Sequence, residues 1–448
     1  MKRTMALLTA LLLSLGMAAC GGETPASSAP TPSQATSSEA QQPTATPEDL
    51  KQATGELTLY TYYVDSDKEI VDYALTEMKK IFPNVTVIPE NRTDADGTLL
   101  KTRAAVGELP DIFECPANVL ESFATSGDIL ALDDAMAAMD FASFVHPGVL
   151  ENRASQDGKI YAISALANEP VVLYYNKQIF ADNNLTPPKN YDEFKTVVST
   201  LAGKGIIPLS IFAQEKWPGL QLFDMAVVAN DPRGMAALET GEAAATDPQF
   251  VGAANKLSEL VSLGLIGKGA FNTNASQAFE QFRLGQAAML INGNWYFGDA
   301  KEYGDNVGYF TYNPFADAGK EETARVNASG GKMSPGGYAV NAHSENVELA
   351  TQYMLYFNIE RAKAKTVLNG AVSALVEDVQ PKEPRYESYQ QYADSVGEIK
   401  NYSKYGWSLD NAEIKTALED GVEMLLAGNY TPDSFISGLD AQIKAAAQ

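Results

Sequence analysis

Histidine is almost absent from this chain: His146 and His343 are the only two in 448 residues. That argues against a zinc site built from histidine and cysteine. Neither histidine stands in a serine or cysteine motif. Cysteine is equally scarce, with Cys20 and Cys115 alone, so no disulfide framework is expected. No P-loop, no G-x-S-x-G elbow and no dinucleotide-binding G-x-G-x-x-G occurs. Asp94-Ala95-Asp96-Gly97 opens like a calcium loop, but its twelfth position is Ala105 where a glutamate belongs. No metal and no cofactor is therefore expected. Basic residues are outnumbered, 33 against 57 acidic, for a net charge of −24. A surface of that sign disfavours nucleic acid and anionic membrane as partners. The acidic residues are numerous enough to leave room for the carboxylate pair of a glycosidase, yet no motif selects one.

Hydrophobic residues make up 45% of the chain, and its length suffices for two domains with sizeable cores. Only one long apolar run exists, Met5 to Leu15. It follows Lys2 and Arg3 and is too short to span a membrane. Met17-Ala18-Ala19-Cys20 then resembles a lipobox. Residues 1–19 are read as a signal peptide, with Cys20 as the lipidated first residue of the mature chain. Glu23 to Ala53 is Ser, Thr, Pro, Ala and Gln with almost nothing large and apolar. Such a stretch cannot order itself by burial. Residues 20–54 are read as a tether with a reach of roughly 30 Å. Cys115 lies in an apolar stretch, which predicts a buried, inert thiol.

Folding is expected from Gly55. Leu57 to Tyr60 reads as a strand, and Ile70, Ala74, Met78 and Ile81 give a helical face behind a capping box at Ser66. Val85 to Ile88 is the next strand. This strand–helix–strand opening argues for an α/β fold with a parallel sheet. The stretch Ser276 to Phe297, SQAFEQFRLGQAAMLINGNWYF, sits at the centre of the pattern. A short helix closes at Gly285, and a buried strand runs to Ile291. The turn Asn292-Gly293-Asn294-Trp295 then lies at the strand's carboxyl end, where open α/β sheets bind ligands. Asn190 and Asp410 are read as helix caps, as is Ser344. Ser329 to Gly337 is read as a glycine-rich loop, and Trp217 as a loop residue.

Several stretches resemble the sugar-binding proteins of ABC importers, the maltose-binding-protein-like family. Gly285 to Trp295 is similar to its "GkaAM…GsW". Gly107 to Glu114, GELPDIFE, is similar to "GelPDIfe". The most specific is DGKIYAI…VVLYYNKQIF…PPKNYDEF, against "GkiYgiP…vLyYNKdlF…PPkTWdEf", with Tyr191 where the pattern has tryptophan. The resemblance implies a two-lobed periplasmic-binding-protein fold, type II-like, with a ligand cleft between lobes joined by crossing hinge segments. One lobe would hold residues 55–167 plus 338–378, the other 168–337 plus 379–448. It also implies the function: a substrate-binding lipoprotein capturing a sugar or oligosaccharide. Its partners would be the permease transmembrane subunits with a cytoplasmic ATPase, and the membrane through a lipid at Cys20. It would be a monomer and not an enzyme.

Sugars suit what the residues offer. A pyranose stacks an apolar face on an indole or phenol, and its rim needs carboxylates and carboxamides that bond two hydroxyls. The candidates are Trp295 after its turn, Trp217 beyond a strand, and Trp407 near the C-terminus. Tyr62 and Tyr63 end the first strand, one expected in the cleft and the other packed. Glu114 ends the GELPDIFE strand. Asn168 and Glu169 precede Pro170, where the resemblance places one crossing, and Gly337 and Tyr338 lie at the return. Asp65, Arg92, Asn118 and Asn294 are weaker candidates. Two alternatives stay open: the same fold binding a peptide, polyamine or anion, and a secreted polysaccharide-active enzyme.

Overall fold

Alternation along the first strand builds a core on each face of its sheet. In the computed structural model, which describes residues 47–94 and 96–446, β1 spans Thr54–Thr61 and pairs in parallel with β2, Asn84–Asn91. β3, Ile112–Cys115, pairs in parallel on its other side, and β9, Gly337–Val340, adds to β3 antiparallel. The order is β2-β1-β3-β9. Successive side chains point to opposite faces. Leu57, Leu59, Ile112 and Val340 thus meet Val71, Met78 and Met354 of the helices Asp65–Ile81 and Val347–Asn369. Tyr60, Phe113 and Ala339 meet Leu100, Val119 and Phe123 on the other face. Fully burying Leu57 and Leu59 contributes about 1.5–3 kcal/mol each.

The second sheet runs β10-β8-β4-β6-β5, with β7 also on β4. β4 is Val171–Asn176, β5 Ile207–Ser210, β6 Ala287–Gly293, β7 Val307–Tyr309, β8 Asn327–Gly331 and β10 Asn401–Ser403. β6 is buried along its whole length, as its unbroken apolar run predicts. Met289 and Ile291 face one core, and Leu290 joins Tyr174 and Phe297 in another. Each sheet with its helices forms a lobe. Among the described residues the chain passes between lobes three times: before β4, between β8 and β9, and from Val347–Asn369 to the helix Glu387–Ser395. That last helix docks in the second lobe by stacking Tyr389 on Phe297 at 4.7 Å.

Several local expectations change. The folded part begins before residue 55, because helix Pro47–Gln52 buries Leu50 in the first core. Val64 rather than Ser66 holds the N-cap position of Asp65–Ile81. Asn346 precedes the helix expected after Ser344, and that serine donates to Asp111 instead. Asn411 caps Ala412–Leu426 in place of Asp410, which pairs with Lys404 at 2.7 Å. The expected loop at Ser329 begins as the strand β8. After Asp157 the stretch that carries the DGKIYAI resemblance makes a single bridge, Ile163 to Tyr338. The expected signal peptide, Cys20 and the first part of the tether lie outside the described residues.

Candidate functional site

All three tryptophans meet on one wall of a cleft of about 650 Å³. Trp217 is the first residue of the helix Trp217–Val228, not a loop residue, and its indole N–H donates to Glu215 at 3.2 Å. Trp295 follows β6. A side chain at Gly293 would lie 2.1 Å from the indole, so the ring can fold back over the strand end only because that residue is glycine. Trp407 sits in the turn Gly406–Ser408, which Gln221 holds by accepting from the Gly406 N–H at 2.7 Å. The ring centroids of Trp217 and Trp407 are 5.1 Å apart, edge to face. Those of Trp217 and Trp295 are 6.2 Å apart, and those of Trp295 and Trp407 6.4 Å. Tyr405 stacks on Trp407 at 4.2 Å and an interplanar angle of 13°. Trp407 is 38% exposed, which for an indole in a loop leaves a large apolar surface open.

The facing wall belongs to the first lobe and is polar. Tyr62 follows the last residue of β1, with the Arg92 guanidinium 4.8 Å from its ring centre. Arg92 is buried, donates to the Asp94 carbonyl at 2.7 Å and lies 3.8 Å from the Glu114 carboxylate. Glu114 also accepts from the Thr61 hydroxyl at 3.3 Å. Burial raises the Tyr62 phenol above its ordinary range, so it stays a donor. Asn118 borders the same space and donates to the Asp96 carbonyl at 3.1 Å. The carboxylates of Asp94 and Asp96 are used on nearby groups. Asp94 accepts from the Tyr60 hydroxyl and the Leu99 N–H, and Asp96 from Thr98.

The passages between lobes close the back of the cleft. Glu169 lies in the first and pairs with Lys365 of Val347–Asn369 at 2.6 Å. The second, between β8 and β9, is held by Arg153, which donates to the carbonyls of Ser334 at 2.9 Å and Gly336 at 3.1 Å. Gly337 has φ +146°, and a side chain there would lie 2.5 Å from the Ile163 backbone. The glycine thus permits the two hydrogen bonds between Ile163 and Tyr338.

Tyr62, Glu114, Glu169, Trp217, Trp295, Gly337 and Trp407 all border the cleft. Tyr63 turns away, donating to Asp72 at 2.6 Å. Tyr338 is turned into the first core: it is 1% exposed, bonded to Thr61 at 2.6 Å and packed edge-on against Phe357. Asn168 borders smaller cavities beside the passage rather than the main cleft. Sequence reasoning missed Tyr405 and Arg153 at the cleft. Tyr405 stands two residues before Trp407, which is a usable signal; nothing periodic marks Arg153. Cys115 is buried, and burial pushes its thiol up to about 12, the opposite of a reactive thiolate.

The profile of bacterial extracellular solute-binding proteins matches residues 74–394. An ABC transporter extracellular-binding protein of Pyrococcus horikoshii, itself uncharacterised, is 25% identical over 60% of this chain and 62% of its own length. The multiple sugar-binding protein of Streptococcus mutans is 23% identical over 66% of this chain and 69% of its own. The maltotriose-binding protein of Pyrococcus abyssi is 23% identical, over 60% and 55%. The chain thus spans between about half and about two thirds of these relatives. Among solved structures, a chitin oligosaccharide binding protein superposes with a TM-score of 0.72 at 23% identity, over 88% of this chain and all of that one. A binding protein in complex with raffinose does so at 0.65 and 18%, over the same shares. At these identities the likeness is one of fold.

Proposed function

The chain belongs to the bacterial extracellular solute-binding proteins, and from that premise we propose that it captures a sugar or oligosaccharide and delivers it to an ABC permease by hinge closure. The observation that carries this is the wall of three tryptophans and Tyr405 opposite the polar wall of Tyr62, Arg92 and Glu114. The indoles take the apolar C–H face of a pyranose, and Glu114, Asn118 and Arg92 bond its rim. The relatives named for multiple sugars and for maltotriose support the same class. Sugar entering between the lobes shifts the hinge equilibrium toward the closed form, which the permease and its ATPase recognise.

In this reading the first lobe holds residues 55–167 plus 338–378, with Pro47–Gln52 added, and the second 168–337 plus 379–448. Cys20 carries the lipid that tethers the monomer to the outer face of the membrane. Solute-binding proteins of this family are not enzymes, and no covalent step is assigned here.

The test is thermal unfolding of the chain with raffinose, stachyose, maltotriose, and xylo- and chito-oligosaccharides. At a hundredfold excess over Kd, binding stabilises by roughly 2.7 kcal/mol. The expected result is a rise in Tm with one of these glycans that Trp295→Ala abolishes. A rise only with peptides, polyamines or anions sinks the carbohydrate assignment. Breakdown of a glycan during the run would make the protein an enzyme.

A further inference from the structure

We propose that Tyr405 is a positioning residue that ties the aromatic wall to the first passage between the lobes. Its ring lies between Trp407, stacked at 4.2 Å, and the backbone of β8. A side chain on Gly330 of that strand would stand 2.6 Å from the Tyr405 ring, so the residue is glycine and the ring rests on the strand. Trp407 therefore cannot be pressed inward without moving Tyr405. The Tyr405 hydroxyl donates to the Glu169 carbonyl. Glu169 is followed by Pro170, whose ring confines it to extended backbone, so a pull on that carbonyl passes stiffly into β4. The Glu169 side chain meanwhile holds Lys365 of the first lobe at 2.6 Å. Tyr405 thus spans from the wall to a residue bonded to both lobes. A second bond runs alongside: the N–H of Asn294, beside Trp295, donates to the Pro170 carbonyl at 2.9 Å. Burial keeps the Tyr405 phenol protonated, and hence a donor, across the physiological range.

The consequence is that a ligand loading Trp407 acts on the hinge through a hydroxyl rather than through a general tightening of the cleft. This deepens the sugar-capture reading and rests on it only for the ligand arm of the test. Tyr405→Phe keeps the ring and its stack while removing the bond. In the ligand-free full chain, amide hydrogen exchange across residues 166–172 should quicken severalfold in the variant; unchanged exchange overturns the tether. With raffinose, maltotriose and chito-oligosaccharide as probes, tryptophan emission reports contact and small-angle scattering reports closure. The variant should bind roughly three- to tenfold more weakly, keep the emission change at saturation, and close less. A packing role alone would lower Tm and leave affinity and closure at 25 °C as in the wild type, which also overturns the proposal. If none of the probes binds the wild type, the carbohydrate reading fails, and the exchange arm still decides the tether.

Discussion

At Gly293 the absence of one carbon decides where the indole of Trp295 lies, since any side chain would stand within 2.2 Å of it. Asp224 shows the same dependence on neighbours. It is fully buried, accepting from Ser403 at 2.5 Å, from Ser329 at 2.8 Å and from the Met235 N–H at 2.8 Å. These bonds join the helix Trp217–Val228 to β8 and β10, directly behind Tyr405. Burial pushes its carboxyl up from 3.8 to about 6, outweighing the bonds that favour the charged form. The folded chain then holds a proton between those values that the unfolded chain has lost. The group's stabilisation is fully present below pH 4 and is lost as pH rises through about 6, by roughly 3 kcal/mol. Asp224→Asn should remove that part of the slope: denaturant titrations at pH 4.5 and 7 should show a smaller difference in stability than in the wild type. An equal difference would mean that Asp224 ionises normally. In the sequence, Asp224 was one acid among many. By sequence Tyr62, at the end of the first strand, and Tyr338, at the return passage, are both cleft candidates; the packing sends Tyr62 to the cleft and Tyr338 into the first core.

At the scale of elements, what carried a period was readable and what did not was missed. β1, β6 and the helix Tyr191–Gly203, capped by Asn190 through the Glu193 N–H at 3.1 Å, stand where alternation, an apolar run and a cap predict them. β8 reads Asn-Ala-Ser-Gly-Gly and has no apolar face to announce it; its pairing with β10 and β4 makes it a strand. The passage after it depends on Arg153, which is 3% exposed. Its guanidinium donates to Val149, Ser164, Ser334 and Gly336 carbonyls, at 2.7 to 3.1 Å, and has no carboxylate among these partners. Burial lowers its pKa to about 10, so it remains charged at neutral pH. Arg153→Met should leave several of these buried acceptors short of a donor and cost roughly 3 kcal/mol or more, read as a lower urea midpoint. A loss under 0.5 kcal/mol would mean that the passage is held by other contacts.

Over the whole molecule, the two walls stand on different lobes and meet only through the passages and what lies between them. The aromatic wall is carried by β6, the helix Trp217–Val228 and the Tyr405–Trp407 loop, and the polar wall by the ends of β1 and β3. A sugar that touches both walls is then worth more in a closed than an open arrangement, which is the differential affinity that hinge closure needs. Small-angle scattering of the chain with a saturating glycan from the panel should show a smaller radius of gyration than without it. Binding with an unchanged radius would mean that the ligand sits on one lobe alone.

By itself the sequence determined the α/β class, the strand–helix–strand opening, the buried thiol and the aromatic character of the site. These follow from local periodicity, turn chemistry and composition, which act over a few residues. Only the tertiary structure decided that Trp217, Trp295 and Trp407, separated by up to 190 positions, lie within about 6 Å of one another. It alone turned Tyr338 inward, placed Tyr405 against Glu169 and gave Arg153 the second passage to hold. Those outcomes depend on strand pairing and on long-range packing between lobes, and no spacing along the chain encodes which distant backbone a side chain will meet.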